Sequence, residues 1–306
     1  MILNTGRVRD HWHTMTRTGK SQRLSAHLAE PYAEINPVDG LRLGIRDADL
    51  VRVKSSCGEI VVRALLSKRQ SENAIFVPMH WSGQFASIAR VATLVPPIVD
   101  PHSGQPALKN VQVHLSRFDA AWYGFAVLRS RPENIAATYW ALARCAGGWR
   151  VELGGQERSE DWTGFARALL GASKDDTLLA YHDEKTGQHR YAAFDQKGLI
   201  GAFYIARNPV AVSRSWAVRQ LAADMSAPAE RYRILAGRSG ADLPDPGAIV
   251  CACYSVGTNQ ITATLASGEC QSVKDIGKAL KAGTNCGSCR AEINAIINTN
   301  RVEAGE

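Results

Sequence analysis

Cys251-Ala252-Cys253 and Cys286-Gly287-Ser288-Cys289 decide how the end of this chain folds. The two close thiol pairs stand 32 residues apart, one before and one after two stretches with helical apolar spacing, Asn259–Ala266 and Val273–Ala282. Four converging thiolates are what a [2Fe–2S] cluster or a tetrahedral zinc requires. Zinc sites prefer about two to four residues between paired cysteines, so the single residue between Cys251 and Cys253 favours the cluster. Small neighbours at Gly283, Gly287 and Ser288 let backbone N–H groups approach the sulfurs. Thr258 and Ser272 are candidate caps for the two helices, Gly283 a stop for the second, and a third helix is expected from Ser288 to Ile297. Roughly 50 residues give a thin core, and domains that small often need a metal to hold them.

Of seven cysteines, five fall between Cys251 and Cys289, while Cys57 and Cys145 stand alone. A disulfide framework would be spread over the fold, so the clustering points to a local thiolate site in a reducing compartment. Cys270, between the pairs without a partner at ligand spacing, reads as a semi-buried free thiol.

The whole chain has 306 residues, 45% of them hydrophobic, enough to bury full cores without disulfides, which excludes disorder and a mini-protein. Its charge, 36 − 29 = +7, favours anionic partners: phosphorylated cofactors, acidic redox proteins or nucleic acid. No apolar run approaches the roughly 18 residues of a membrane span, and no signal-peptide pattern follows Met1, so a cytoplasmic chain without membrane contact is expected.

Upstream, residues 1–118 read mostly as strands. Leu50–Lys54 and Glu59–Leu66 flank a Ser55–Gly58 turn as a hairpin, and Ala74–Met79 and Val111–Leu115 are further strands. Two long irregular stretches, Asn4–His27 and Trp81–Lys109, have the length of binding loops. Residues 119–246 read as a small α+β unit. Helices are expected at Glu133–Cys145, Asp161–Leu170, Arg214–Met225 and Ala229–Ala236, and strands at Thr177–Tyr181, His189–Phe194 and Leu199–Ile205. Pro and Gly make 239–247 a linker.

The first loop packs Arg7, Arg9, Arg17 and Lys20 among His11, His13 and several hydroxyls. Thr5-Gly6 can form a turn whose N–H groups face an anion, with Arg7 as a bidentate phosphate donor. A solvated basic loop or an RNA-binding arm would have the same composition. There is no glycine-rich strand-to-helix fingerprint, which removes Rossmann and P-loop sites. Asp100 and His102 read as turn formers; His80 and Trp81 either cap the strands or line a pocket.

Ile249–Tyr254 together with Ala282–Arg290 resembles the [2Fe–2S] domain of bacterioferritin-associated ferredoxin, which also occurs inside assimilatory nitrate and nitrite reductases. The resemblance implies that Cys251, Cys253, Cys286 and Cys289 hold the irons. Thr5-Gly6-Arg7 with His11-Trp12-His13-Thr14, then Phe76–Trp81, Phe85 and Asp100–Lys109, resembles the molybdopterin-dinucleotide-binding domain of the dimethyl sulfoxide reductase family of molybdenum oxidoreductases. That implies a double-psi β-barrel over 1–118, gripping the guanine-dinucleotide arms of the cofactor (Mo-bis-MGD). The implied contacts are Thr5, Gly6, Arg7, His11, Trp12, His13, Thr14, Phe85 and Lys109. Ala92 stands where the family often has Asn, which removes one polar contact.

The combination implies a mixed α/β multidomain chain: a molybdopterin-dinucleotide barrel at 1–118, an α+β spacer at 119–246 and a small helical [2Fe–2S] domain at 247–306. It resembles the C-terminal part of assimilatory nitrate reductase catalytic subunits. In that family an N-terminal region binds a [4Fe–4S] cluster and central domains supply the molybdenum ligand. Met1 falls directly before the first cofactor loop, so the chain reads as a fragment or a split-off subunit, expected to be inactive toward nitrate alone and to carry no catalytic residue. Its implied partners are the N-terminal remainder and an electron donor, whether flavoprotein, ferredoxin or NADH-linked reductase. Two other classes stay open: a stand-alone iron–sulfur electron carrier, and a zinc-dependent nucleic-acid binder.

Overall fold

The computed structural model describes residues 1–237, 244–268 and 270–303. Seven strands build the first sheet: β1 (Ile2–Gly6), β2 (Tyr32–Ile35), β3 (Leu50–Lys54), β4 (Glu59–Leu66), β5 (Ala74–Pro78), β6 (Val111–Gln112) and β7 (His114–Arg117), in the order β6-β1-β5-β2-β4-β3-β7. The expected hairpin is present, with Leu50 opposite Arg63 and Lys54 opposite Glu59. The expected strand at Val111–Leu115 is broken in two, because β6 and β7 serve opposite edges of the sheet with only Val113 between them. The sheet must therefore curl until its edges meet there. Val113 extends the β6–β1 ladder at that point, its N–H donating to Met1 O (3.0 Å) and its carbonyl accepting from the terminal amine (2.8 Å). Two short helices, α1 (Leu24–His27) and α2 (Pro37–Arg42), flank β2 in the chain. The latter begins with Pro at its first position and the Asn36 side chain accepting from Val38 N–H.

The second sheet has six antiparallel strands: β8 (Trp122–Leu128), β9 (Tyr139–Cys145), β10 (Gly148–Gly155), β11 (Thr177–Asp183), β12 (Gln188–Asp195) and β13 (Gly198–Ala206), ordered β11-β12-β13-β8-β10-β9. Here the helix expected at Glu133–Cys145 is overturned: Tyr139–Cys145 is a strand paired with β10. The physical reason is burial on both faces. Along β8, Phe125 and Val127 pack toward the first sheet while Ala126 and Leu128 pack beneath helix α3 (Trp162–Leu170). Strands covered on both sides lose the apolar–polar alternation that distinguishes them from buried helices. The same effect hid β8 and β10. Helix α3 starts where the sequence placed it, with Asp161 accepting from Gly164 N–H and Gly171 closing it in the left-handed region (φ 68°).

One apolar core runs from Leu3 to Ile234 across the junction at residue 118. Residues 85–87 also pair with the edge strand β9, Leu142 N–H donating to Phe85 O (2.7 Å) and Ser87 N–H to Trp140 O (3.0 Å). A buried charge network reinforces the junction. Glu152 on β10 meets Arg214 (2.8 Å), Arg150 (3.1 Å) and Arg63 of β4 (3.8 Å), while Arg63 also holds Glu30 (3.0 Å), which accepts from Tyr139 Oη (2.8 Å). Arg214 opens α4 (Arg214–Gln220), which ends short of the expected Met225, and α5 (Pro228–Ala236) follows with Pro at its first position.

The last unit has its own small core around Val250, Ile261, Ile276 and Ile293. A two-stranded ladder, β14 (Ile249–Cys251) with β15 (Val256–Gly257), precedes α6 (Thr258–Ala266), α7 (Val273–Leu280) and α8 (Arg290–Glu303). Three expectations shift here. Gly257 rather than Thr258 sits at the cap of α6, its N–H bonded by the Gln260 side chain (3.0 Å), while the Thr258 hydroxyl donates to Ala248 O. Ser272 caps α7 as expected, but the helix stops at Leu280, with Lys281 in the left-handed region (φ 59°) before Gly283 is reached. The third helix starts just after Cys289 and runs on to Glu303. Cys270 is buried. Of the linker read over 239–247, residues 239–243 lie outside the described residues; Asp245 anchors the remainder by accepting from Ser215 Oγ (2.8 Å). No described helix is long and apolar enough to cross a membrane.

Candidate functional site

Cys251 ends β14, Cys253 lies in the turn that follows, Cys286 in the α7–α8 loop and Cys289 immediately before α8. The structure brings all four around one cavity of about 390 Å³. The close pairs are not the pairs of the sequence. Cys253 Sγ lies 3.4 Å from Cys286 Sγ at the outside, whereas Cys251 and Cys289 are hydrogen-bonded to each other and are 2% and 1% exposed. Each pair thus takes one thiol from each motif, so the site forms only when the ladder and the loop before α8 meet.

The surroundings split the thiols electrostatically. The Ser288 hydroxyl and N–H, then Cys253, lower the pKa of Cys286, whereas burial and then the neighbouring Cys251 push Cys289 up to about 11. Asn285 Nδ2 donates to Cys253 Sγ (3.3 Å) and the Ser288 hydroxyl lies 3.1 Å from Cys286 Sγ. Gly287 permits this loop, holding φ 75° between the last two motif positions. Four sulfurs, two inner and two open, with polar hydrogens directed at the outer pair, fit a thiolate-held cluster, and those polar contacts tune its potential.

The far wall of the cavity comes from the first unit: Asp10, Ser21, Arg23 and Leu24. Arg9 reaches across to donate to Val250 O (2.7 Å) and to contact Glu292 Oε2 (3.1 Å), one turn into α8. His27, at the end of α1, joins the same carboxylate (3.1 Å) and faces Asp10 (3.5 Å). Burial raises the pKa of Glu292, yet His27 and Arg9 outweigh it and hold the carboxyl below its ordinary range. Sequence reasoning missed this clasp. Its members are separated by up to 283 positions, and only the location of Glu292 three residues after Cys289 hinted at it.

Thr5 and Gly6 do not form a turn. They end β1, in parallel register with Val77 and Pro78, because β5 needs a partner along its full length. The loop after them is set by buried histidines. His80 accepts from Val8 N–H at Nε2 (2.9 Å) and so presents Nδ1–H to His13 O (2.6 Å). His11 bonds Leu28 O (2.8 Å) and packs edge-on to Trp81. Burial lowers the pKa of both histidines, which keeps the rings neutral. Asp10, His13 and Met15 take left-handed φ values of 71°, 45° and 58°, strain that these bonds hold in place.

The expected cofactor residues therefore divide. Thr5 and His11 are buried, and Phe85 is buried with its ring against Gly19, where any Cβ would collide with it. Arg7, Trp12, His13, Thr14 and Lys109 are exposed, and the Arg7 guanidinium lies 5.1 Å over the Trp12 ring. Thr5 Oγ1 is buried without a partner. A guanidinium, an aromatic face and hydroxyls on one loop are a donor set that fits a nucleotide phosphate. Asp100 is a turn former as expected, accepting from His102 N–H, Ser103 N–H and Ser103 Oγ.

Comparison with known proteins finds a family at each end of the chain. Residues 1–112 match the Molydopterin dinucleotide binding domain family, and residues 249–299 match the BFD-like [2Fe-2S] binding domain family. A nitrate reductase of Klebsiella oxytoca is 34% identical over 99% of this chain, which spans 34% of that relative's length. The assimilatory nitrate reductase catalytic subunit of Bacillus subtilis is 35% identical over 38% of this chain and 16% of its own. The alpha subunit of F420-dependent formate dehydrogenase 1 of Methanococcus maripaludis is 33% identical over 36% of this chain and 15% of its own. Partial matches thus reach enzymes with different names, whereas the match along the whole chain is to a nitrate reductase.

Proposed function

We propose that this chain, a molydopterin dinucleotide binding domain and a BFD-like [2Fe–2S] binding domain joined by an α+β unit, is the C-terminal portion of an assimilatory nitrate reductase. The observation that carries the reading is the pairing of both domains on one chain that is similar to a nitrate reductase over 99% of its length. The proposed units are 1–118, 119–246 and 247–306. A double-psi arrangement of the first unit is supported by a sheet whose edges close at Val113.

Cys251, Cys253, Cys286 and Cys289 are the proposed iron ligands, and the cluster would supply a one-electron relay. Arg7, Trp12, His13, Thr14 and Lys109 are the proposed contacts to the guanine-dinucleotide arms, with Thr5, Gly6, His11 and Phe85 shaping the loop from within. When bound, the molybdenum cofactor supplies the two-electron oxygen-atom transfer that takes nitrate to nitrite. The chain's own residues position it: His80 fixes the loop, and the Arg9–Glu292 clasp fixes that loop against the cysteine unit. The rest of the molybdoenzyme is the proposed partner, fed by a flavoprotein, ferredoxin or NADH-linked donor in the cytoplasm.

The test is to express the chain with and without the remaining domains in a host that makes molybdopterin guanine dinucleotide. Nitrate reduction is expected only with both parts, R7A is expected to lower bound GMP released by acid, and C286S to remove iron without lowering GMP. Nitrate reduction by the chain alone, or GMP content unmoved by R7A, contradicts the reading.

A further inference from the structure

We propose that His182, Glu184 and His189, at the tip of the β11–β12 hairpin, bind a divalent transition ion of the zinc class at a centre separate from the cysteines. The sequence brings the three together by register. His182 and His189 are a directly opposed cross-strand pair, and Glu184 sits in the turn that links their strands. The two Nδ1 atoms lie 3.0 Å apart, and one donor atom from each residue falls within 4.8 Å of the others. Two imidazoles and a carboxylate are the donor set of open zinc sites and of facial two-histidine, one-carboxylate sites. With zinc–nitrogen bonds of about 2.05 Å and tetrahedral angles, two ligating nitrogens stand about 3.3 Å apart. The pair needs to open by only about 0.3 Å.

The rings are already oriented. Trp162 stacks on His189 (5.8 Å between centroids, 29°), and Tyr191 meets His182 edge-on (5.3 Å). His182 and Glu184 are exposed, which leaves the ion reachable and leaves its remaining positions to water. Arg207 donates to Glu184 O at 3.4 Å, and Arg158 lies near His189. Their positive charge opposes a cation, and the carboxylates of Glu184 and Asp183 offset it, so Glu184 is needed for charge as well as for coordination. Binding would clip the two strands together at the tip of the hairpin.

The test is zinc binding to the full chain by calorimetry, with zinc, iron and sulfide counted after dialysis. One zinc per chain is expected beyond any held by thiols. H182A and E184Q are each expected to weaken it by at least the about 10- to 100-fold that losing a supporting partner costs a metal site. Iron, sulfide and visible absorption should not change. Both replaced side chains are exposed, so folding is preserved, and the difference between wild type and H182A cancels zinc taken by cysteines. Equal zinc affinity in wild type and H182A, or no stoichiometric zinc in the wild type, would overturn the site and leave a plain histidine–histidine hydrogen bond.

Discussion

Glu152 is 2% exposed, and burial alone would raise its pKa; Arg214, Arg150 and Arg63 outweigh that and depress it from 4.5 to about 2. A carboxyl depressed on folding contributes stability that is complete above its unfolded value and lost as pH falls through the folded one. Acid unfolding of the wild type is thus expected to steepen between about pH 4.5 and 2, and Glu152→Gln should flatten that limb. The substitution should also cost about 3–5 kcal/mol at neutral pH, because it leaves buried guanidinium charge uncompensated; chemical denaturation at pH 7 and pH 4 checks both. His80 sets a second expectation. His80→Ala leaves the half-buried Val8 N–H and His13 carbonyl without their partner, at no more than about 1–3 kcal/mol each. Faster proteolysis within residues 8–15 would report it, and unchanged cleavage would show that His80 does not hold the loop. His80 was visible in the sequence as a histidine at a strand end, but its partners 72 and 67 positions away were not.

Between elements, the clasp from the first loop and α1 to α8 is a contact that holds the first loop at the wall of the cysteine cavity. Arg9 and Glu292 are expected to couple by about 0.5–3 kcal/mol in a double-mutant cycle, with hydrogen exchange rising together in residues 9–28 and at the start of α8. Additive single mutants would show that this ion pair does not hold the two units together. Local chemistry was legible at this scale. The Ser55–Gly58 turn, the start of α3 and the cap Ser272 all follow from side-chain bonding within a few residues. Tyr139–Cys145 was not, because its fate depends on two cores that cover it from opposite sides. The same holds for Thr5-Gly6, whose backbone bonds go to β5 rather than to a turn.

For the whole molecule, the sequence carries the ligand chemistry and the structure carries its arrangement. The convergence of the four cysteines was readable from residue type and spacing, whereas the cofactor role of the first loop rests on resemblance. That the thiols pair across motifs, and that the first and second sheets share one core while the cysteine unit keeps its own, required long-range contacts. The separate small core makes the last unit dependent on its metal, so iron removal by a chelator should unfold residues 249–299 first, with circular dichroism of the two sheets retained. If the four converging thiols hold a [2Fe–2S] cluster, anaerobic reconstitution followed by iron and acid-labile sulfide analysis will count it. About two irons and two sulfides per chain are predicted, with visible absorption that disappears in C251S and C286S alike. Iron without sulfide, or absorption that survives loss of either cysteine, would contradict it.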